Sequence, residues 1–140
     1  MTKEVMIKIK GQQMGEEEDP IVMMAPGTYH LTNEKHYIHY EEKIEGSEDI
    51  SKNTIKISSD RVIIMKRGVQ ASQMIFDINE ADQAIYNTAF GNLSFDTDTK
   101  SIRLKETQDL IEVIMEYSLS VGGSKISENE LTISILARFN

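Results

Sequence analysis

The chain of 140 residues contains no cysteine. This absence excludes a disulfide framework, a thiol nucleophile, and zinc or iron–sulfur centres held by cysteine. The chain also has no long apolar run, because residues 21–26 and 61–65 are far shorter than the roughly 20 residues that cross a bilayer. The first eleven residues lack the apolar core of a signal peptide. We therefore expect a cytoplasmic protein with no membrane partner.

Positive charge is in deficit, with 15 Lys and Arg against 23 Asp and Glu and a net charge of −8. Such a field repels a phosphate backbone, so the composition argues against a nucleic-acid partner. Acidic residues cluster at 15–19 and 40–49. We interpret both clusters as solvated charge that keeps the protein soluble.

Alternation of apolar and polar residues dominates the chain. It is longest at 111–121, where the apolar positions are Ile111, Val113, Met115, Tyr117, Leu119 and Val121. A period of two is typical of β-strands, and residues 5–9 and 131–139 repeat it. Further strands are predicted at 20–32, 36–44, 53–59, 61–67, 72–79, 83–90, 92–97 and 100–106, with short turns between them.

This pattern predicts one all-β domain over residues 1–140. We expect an antiparallel up-and-down β-barrel of about 8–10 strands, because closure removes free sheet edges. A β-sandwich is the alternative, since alternation alone fits both architectures. Pro26 and Gly27 in mid-strand predict an edge, a bulge or a sharp bend.

The segment HYIHYEE, residues 36–42, concentrates groups that could bind a metal or catalyse a reaction. A hairpin closed within residues 32–35, by a loop of two or four residues, places Tyr29 and Leu31 on one face with Ile38 and Tyr40. The opposite face then carries His30, Tyr37, His39 and Glu41. Since the apolar set is expected in the core, we predict exposed histidines and no metal site. His36 is predicted to lie at the turn.

Motifs for other chemistry are missing. The sequence has no nucleophile elbow, no phosphate-binding glycine loop and no EF-hand loop. Asp96–Thr99 (DTDT) is interpreted as a turn. We therefore assign no catalytic residue and no cofactor, and we leave the question of an enzyme open, leaning against one. In an enzyme, Glu42 or His36 would be the acid–base candidate.

The same alternation turns Glu42 inward with Tyr40. A carboxylate near a core requires a cation or several donors. Arg67 is a candidate, although its strand is apolar on both faces and leaves open whether Lys66 or Arg67 points inward. The cluster could orient a small ligand or could be an ion pair that sets the strand register. The predicted ligand-binding residues are Tyr29, Tyr40, Glu42, Arg67 and Tyr86.

The motifs GTYHL, YIHYEE, MKRG, SQMIF, YNTAFG and TDT, in this order, resemble the YwiB-like family of small bacterial proteins. That family belongs to the calycin or lipocalin-like β-barrel group and is uncharacterised. The resemblance is carried by Gly27, Tyr29, Tyr40, Glu41, Glu42, Arg67, Gly68, Tyr86, Thr88 and Gly91, with a threonine at 97 or 99. Residues 86–91 read YNTAFG where related proteins favour Tyr-x-Thr-Pro-Tyr-Gly. The resemblance implies a calycin-type barrel from a Gram-positive bacterium and no established activity.

Two functions are expected. The first is a non-enzymatic cytosolic barrel that binds a small apolar or amphipathic ligand in its cavity. The second is a protein-interaction or structural module that uses its outer surface or a homodimer interface. The second predicts an exposed apolar patch around Ile63, Ile75 and Ile114.

Overall fold

The computed structural model describes residues 3–15, 19–43, 46–68, 71–88 and 91–137. Within these ranges the chain forms strands and turns, and no helix. The ten strands are β1 (Lys3–Gln13), β2 (Ile21–Thr32), β3 (Lys35–Lys43), β4 (Ile50–Ile57), β5 (Arg61–Arg67), β6 (Ser72–Asp77), β7 (Asp82–Thr88), β8 (Gly91–Glu106), β9 (Leu110–Val121) and β10 (Ser124–Ala137). No described helix, therefore, has the length and hydropathy to cross a membrane.

The strands form a closed antiparallel barrel in the order β1-β10-β9-β8-β7-β6-β5-β4-β3-β2. Each strand pairs with its neighbour in sequence, and β1 pairs with β10 from Val5–Ala137 to Gln13–Asn129. This pairing removes the free edges and excludes the β-sandwich alternative. The up-and-down barrel predicted from the alternation is confirmed, with ten strands.

The two ends of the barrel are chemically different. The β2–β3, β4–β5, β6–β7 and β8–β9 connections lie at one end, together with Lys3 and Ala137; we call it the Lys3 end. The β3–β4, β5–β6 and β9–β10 connections lie at the other, which we call the Glu42 end. Apolar inward side chains pack between them in fully buried layers that include Ile7, Ile38, Ile55, Ile57, Val62, Phe76, Val113, Met115 and Ile133.

The predicted strands at 92–97 and 100–106 are one strand, β8, which has a register shift between Thr99 and Ser101. The interpretation of Asp96–Thr99 as a turn is therefore wrong. A β-bulge keeps both halves of a strand paired while it shifts the side-chain alternation by one residue. Thr97 and Thr99 lie on the inner face and are buried. The β9–β10 hairpin is closed by Gly122 and Gly123, both with positive φ, so β10 begins earlier than predicted.

The Pro26–Gly27 pair marks a close approach of β2 to its neighbours. Neither strand pairing of β2 shows a register shift, so the pair is not a bulge, and the closed barrel leaves no edge. A Cβ added at Gly27 would lie 2.5 Å from the His39 backbone oxygen and 2.7 Å from Ile7 Cδ1. The position therefore requires glycine for space rather than for backbone freedom.

Some predicted features extend beyond the described ranges. Residues 16–18 of the first acidic cluster and 44–45 of the second are outside them, as are residues 89–90 and 138–140 at the ends of two predicted strands.

Candidate functional site

Register pairing places five polar or amphipathic side chains side by side on the inner wall. Tyr40 pairs with Asn53, Asn53 with Lys66, Lys66 with Ser72, and Ser72 with Tyr86. We call Tyr40, Asn53, Lys66, Ser72 and Tyr86 the polar row. Consecutive register partners face the same side of a sheet, so the row runs across β3 to β7 inside the barrel.

Lys66, and not Arg67, is the inward cation. Arg67 is exposed, and its Nη2 donates to Met65 Sδ at 3.6 Å. Arg67, a predicted ligand-binding residue, therefore faces away from the inner wall that carries Tyr40 and Glu42. Strand β5 has apolar residues at both odd and even positions, so alternation does not show which face is inside. Its pairing with β4 and β6 determines which residue faces inward.

Glu42 lies inside the barrel, as predicted, and accepts two hydrogen bonds at its Oε1. Lys66 Nζ donates across 3.2 Å and Asn53 Nδ2 across 3.4 Å. Ser51 Oγ donates to Asn53 Oδ1 at 2.6 Å and completes the network. The Glu42 and Lys66 side chains remain 32% and 35% exposed although they face inward. Water therefore reaches the lumen at the Glu42 end.

Tyr40 is enclosed in the same region, with 4% of its surface exposed. The pKa of Tyr40 is raised to about 12, first by burial and then by the Glu42 carboxylate, while the Asn53 amide acts in the opposite direction. The geometry between Tyr40 and Asn53 does not make a hydrogen bond, and within the described residues the Tyr40 hydroxyl has no partner.

Two more hydroxyls on the inner wall have no partner among the described residues, Thr97 Oγ1 and Thr99 Oγ1. An unsatisfied buried polar group costs about 1–3 kcal/mol. Folded proteins keep few such groups, and a local concentration of them is often explained by a water, an ion or a ligand. The two threonines lie on β8, on the far side of the barrel from Tyr40.

Aromatic and sulfur side chains provide the apolar part of this wall. Tyr86 Oη donates to Met74 Sδ at 3.1 Å, and burial raises the pKa of Tyr86. Tyr117 packs edge-on against Phe76 with ring centroids 4.8 Å apart. Burial, together with a smaller contribution from the nearby Tyr86 hydroxyl, raises the pKa of Tyr117 to about 12.

Tyr29, also predicted as a ligand-binding residue, lies at the Lys3 end and not with the others. Its hydroxyl donates to His36 Nδ1 at 2.7 Å, and His36 Nε2 donates to Glu106 Oε1 at 2.7 Å. We call Tyr29, His36 and Glu106 the Lys3-end triad. Burial raises the pKa of Tyr29, and the charge of Glu106 raises it further.

The prediction that His36 lies at a turn is wrong. Asn33 and Glu34 alone form the β2–β3 turn, both with positive φ, so His36 is already in β3 and faces inward with 5% exposure. Two central residues with positive φ are typical of the type I′ hairpin. The alternation shared with Ile38 was a signal for this orientation.

The triad crosses the barrel. In the ring of ten strands, β8 lies five places from β3 in either direction, so the His36–Glu106 contact joins opposite walls. Beside it is a pocket of about 160 Å³, lined by Tyr29, Glu106, Asp109 and Lys3 and by apolar residues that include Val5, Ile111 and Ile135. Sequence separation hid this site, since 70 residues separate His36 from Glu106.

The other histidines lie outside the barrel, as predicted. The His30 ring stacks on Tyr37 at 5.0 Å and on His39 at 5.6 Å, and His39 Nδ1 is 3.1 Å from Thr54 Oγ1. A groove of about 920 Å³ on this outer face is lined by residues of β2, β3, β4 and β5, Tyr37 and His39 among them.

Among the described residues, one acidic group has the spacing to hold a cation. Carboxylate oxygens of Asp77, Glu80 and Asp82, around the β6–β7 turn, lie within 4.8 Å of one another. Arg61 Nε is 3.7 Å from Asp77 Oδ2 and offsets part of that charge. The sequence motifs did not single out these residues.

Comparison with known proteins identifies the family. The model of DUF1934, a domain of unknown function, matches residues 7–133. The chain belongs to the DUF1934 family. It is also similar to the uncharacterized β-barrel protein YwiB of Bacillus subtilis strain 168, with 25% identity over 117 residues, 84% of this chain and 81% of YwiB. The resemblance to YwiB-like proteins is thereby confirmed.

The fold of this DUF1934 chain also matches a solved structure. The crystal structure of YwiB from Bacillus subtilis superposes with a TM-score of 0.81, covers 99% of this chain and 94% of that one, and shares 23% identity. At this identity the match supports the fold alone. The family is uncharacterised, so a function has to be argued from the barrel itself.

Proposed function

We propose that this DUF1934 protein is a non-enzymatic cytoplasmic barrel that binds a small amphipathic molecule in its lumen at the Glu42 end. One observation carries the proposal. Inward side chains of the middle layers, such as Ile55 and Val62, are fully buried, whereas the inward Glu42 and Lys66 stay about a third exposed. An inner wall open to solvent at one end is a common form of ligand site.

The width of the barrel supports this proposal. Barrel diameter grows with strand number, and eight-stranded lipocalins already hold one small ligand. By the same relation, a barrel of ten strands has a larger diameter. The proposal includes a likeness to the calycin and lipocalin-like group: the ligand is bound inside the β-barrel.

The chemistry of the wall indicates the class of ligand. Met74, Tyr86 and Tyr117 present sulfur and aromatic surface, which suits an alkyl or aromatic body. The unpaired hydroxyl of Tyr40 would donate a hydrogen bond to a polar head, or accept one from it. Because Lys66 is already paired with Glu42, the proposal favours an uncharged head, such as a hydroxyl or an amide, over a carboxylate.

Native mass spectrometry and thermal unfolding test the proposal with two matched series, fatty alcohols and fatty acids of increasing chain length. We expect a one-to-one complex with the alcohols and stabilisation of about 2.7 kcal/mol at a ligand concentration 100 times the Kd. If no member of either series stabilises the protein or forms a one-to-one complex, the proposal fails.

Tyr40→Phe separates ligand binding from a structural role. The variant removes an unpaired buried hydroxyl, so the ligand-free protein should become more stable, while alcohol binding should weaken about three- to tenfold. Tyr37→Phe is the matched control on the outer face of the same strand and should leave binding unchanged. Equal effects of both variants on binding would contradict a site in the lumen.

A protein-interaction module remains the second candidate, favoured by the outer groove of about 920 Å³. The predicted patch is less suitable, because Ile63 and Ile75 are register partners whereas Ile114 lies on β9, with β7 and β8 between. A homodimer through this groove would be weakened by Tyr37→Ala in sedimentation experiments, with lumen binding unaffected. A protein that stays monomeric at all concentrations would contradict the homodimer.

A further inference from the structure

In the Lys3-end triad, His36 holds the Glu106 carboxylate beside a small pocket. A carboxylate can only accept hydrogen bonds, so the short contact to Glu106 requires the proton of His36 on Nε2. In the neutral ring, His36 Nδ1 then accepts the Tyr29 O–H. The geometry thus determines the tautomer of a histidine that is nearly enclosed, and through it the position of Glu106.

Both groups at the ends of the triad keep acceptor capacity. Glu106 Oε2 has no partner within the described part of the chain, and the Tyr29 oxygen retains its lone pairs because it donates to His36. Both residues line the pocket, as does Asp109. Three acceptors therefore border one small space.

Charge and size restrict what this pocket can hold. The pocket is lined by two residues with carboxylates, Glu106 and Asp109, and by one with an ammonium group, Lys3. The net charge of the whole protein is −8. A cation is favoured over an anion. The volume of about 160 Å³ is below the range of drug-sized ligands, and Val5, Ile111 and Ile135 offer apolar contact for a short alkyl chain.

We propose that the Lys3-end pocket is a second binding site, for a small primary ammonium compound. The ammonium group donates its three N–H bonds to Glu106, Tyr29 and Asp109, and its alkyl chain lies against the apolar residues. His36 is a positioning residue that holds Glu106 in place. The site is at the opposite end of the barrel from the proposed lumen site and does not depend on it.

Titration of the full chain with butylamine, followed by amide chemical shifts in NMR spectra, tests this site. We expect saturable shifts at Tyr29, Ile111 and Ile135 and none with butyrate, which has the same chain and the opposite charge. Equal shifts with both compounds, or saturable shifts only elsewhere in the barrel, would overturn the proposal.

Glu106→Gln should weaken butylamine binding about tenfold or more, because it removes the charge while the amide oxygen can still accept from His36. Asp98→Asn removes an exposed carboxylate from the same strand and is the matched control. A Glu106→Gln protein that binds butylamine as tightly as the parent would refute the site.

His36→Phe tests the positioning role. It should weaken butylamine binding while alcohol binding in the lumen is kept, and His36→Gln, which supplies an amide N–H for Glu106, should restore part of the affinity. A loss of both binding activities together, or no rescue by glutamine, would identify His36 as a structural residue only. If the protein does not bind fatty alcohols in the lumen, butylamine binding at the Lys3 end is still expected.

Discussion

The hydrogen bond between His36 and Glu106 joins opposite walls of the barrel, and a double-mutant cycle can measure its energy. The two changes are His36→Phe, which keeps a ring without donors, and Glu106→Ala, which removes the acceptor. A hydrogen bond to a charged group contributes about 1.5–3 kcal/mol. Glu106 is 51% exposed, so solvent screening reduces this, and we expect a coupling energy of about 1–2 kcal/mol.

Urea unfolding of the parent, both single variants and the double variant provides the four free energies of unfolding. His36→Phe alone should cost more than the coupling energy, because it also leaves the Tyr29 hydroxyl without its partner. Independent sites are additive within about 0.3–0.5 kcal/mol. A coupling energy inside that limit would refute the conclusion that this bond bridges the barrel, since the two residues would then act independently.

Two further predictions concern packing and ionisation. Gly27→Ala should destabilise the protein by about 1–3 kcal/mol in urea unfolding, because its Cβ would meet the His39 backbone oxygen at 2.5 Å. Gly11→Ala, whose Cβ would meet only a side chain at 3.6 Å, should change stability far less; similar losses for both would contradict the close approach. The pKa values of Tyr40 and Tyr117 are raised to about 12, so the neutral forms are favoured in the folded state. Stability should be unaffected below pH of about 10 and fall by about 2–3 kcal/mol per tyrosine as pH rises to about 12, because the unfolded chain loses these protons first. Phenylalanine at either position should reduce this alkaline loss in pH-dependent thermal unfolding, and an unchanged loss would show that neither tyrosine causes it.

Whether a side chain faces the inside or the outside of the barrel was predictable wherever one face of its strand was clearly apolar. Tyr29, Tyr40 and Glu42 face inward, and His39 and Glu41 face outward, because a period of two passes unbroken through β2 and β3. Parity was not predictable in β5, where Ile63 and Ile64 are apolar on both faces. There the inward cation is Lys66, selected by pairing with Asn53 and Ser72.

Irregularities of the backbone caused the other errors. The bulge after Thr99 allows one strand to pass through a segment rich in turn-forming residues, because its backbone remains paired on both sides. The tight turn at Asn33 and Glu34 moves His36 from a loop into the strand. Local propensity cannot predict the bulge, since it depends on the partner strands, whereas the alternation shared with Ile38 was a signal for the position of His36.

The amino-acid sequence by itself determined the all-β class, the succession of strands joined by short turns, and the inward orientation of Tyr40 and Glu42. These follow from hydrophobic alternation and turn chemistry, which act over a few residues. Only the tertiary structure decided that Lys66 pairs with Glu42 and that His36 meets Glu106. Closure of the ring brings residues from distant strands into contact, and such contacts leave no local pattern in the sequence.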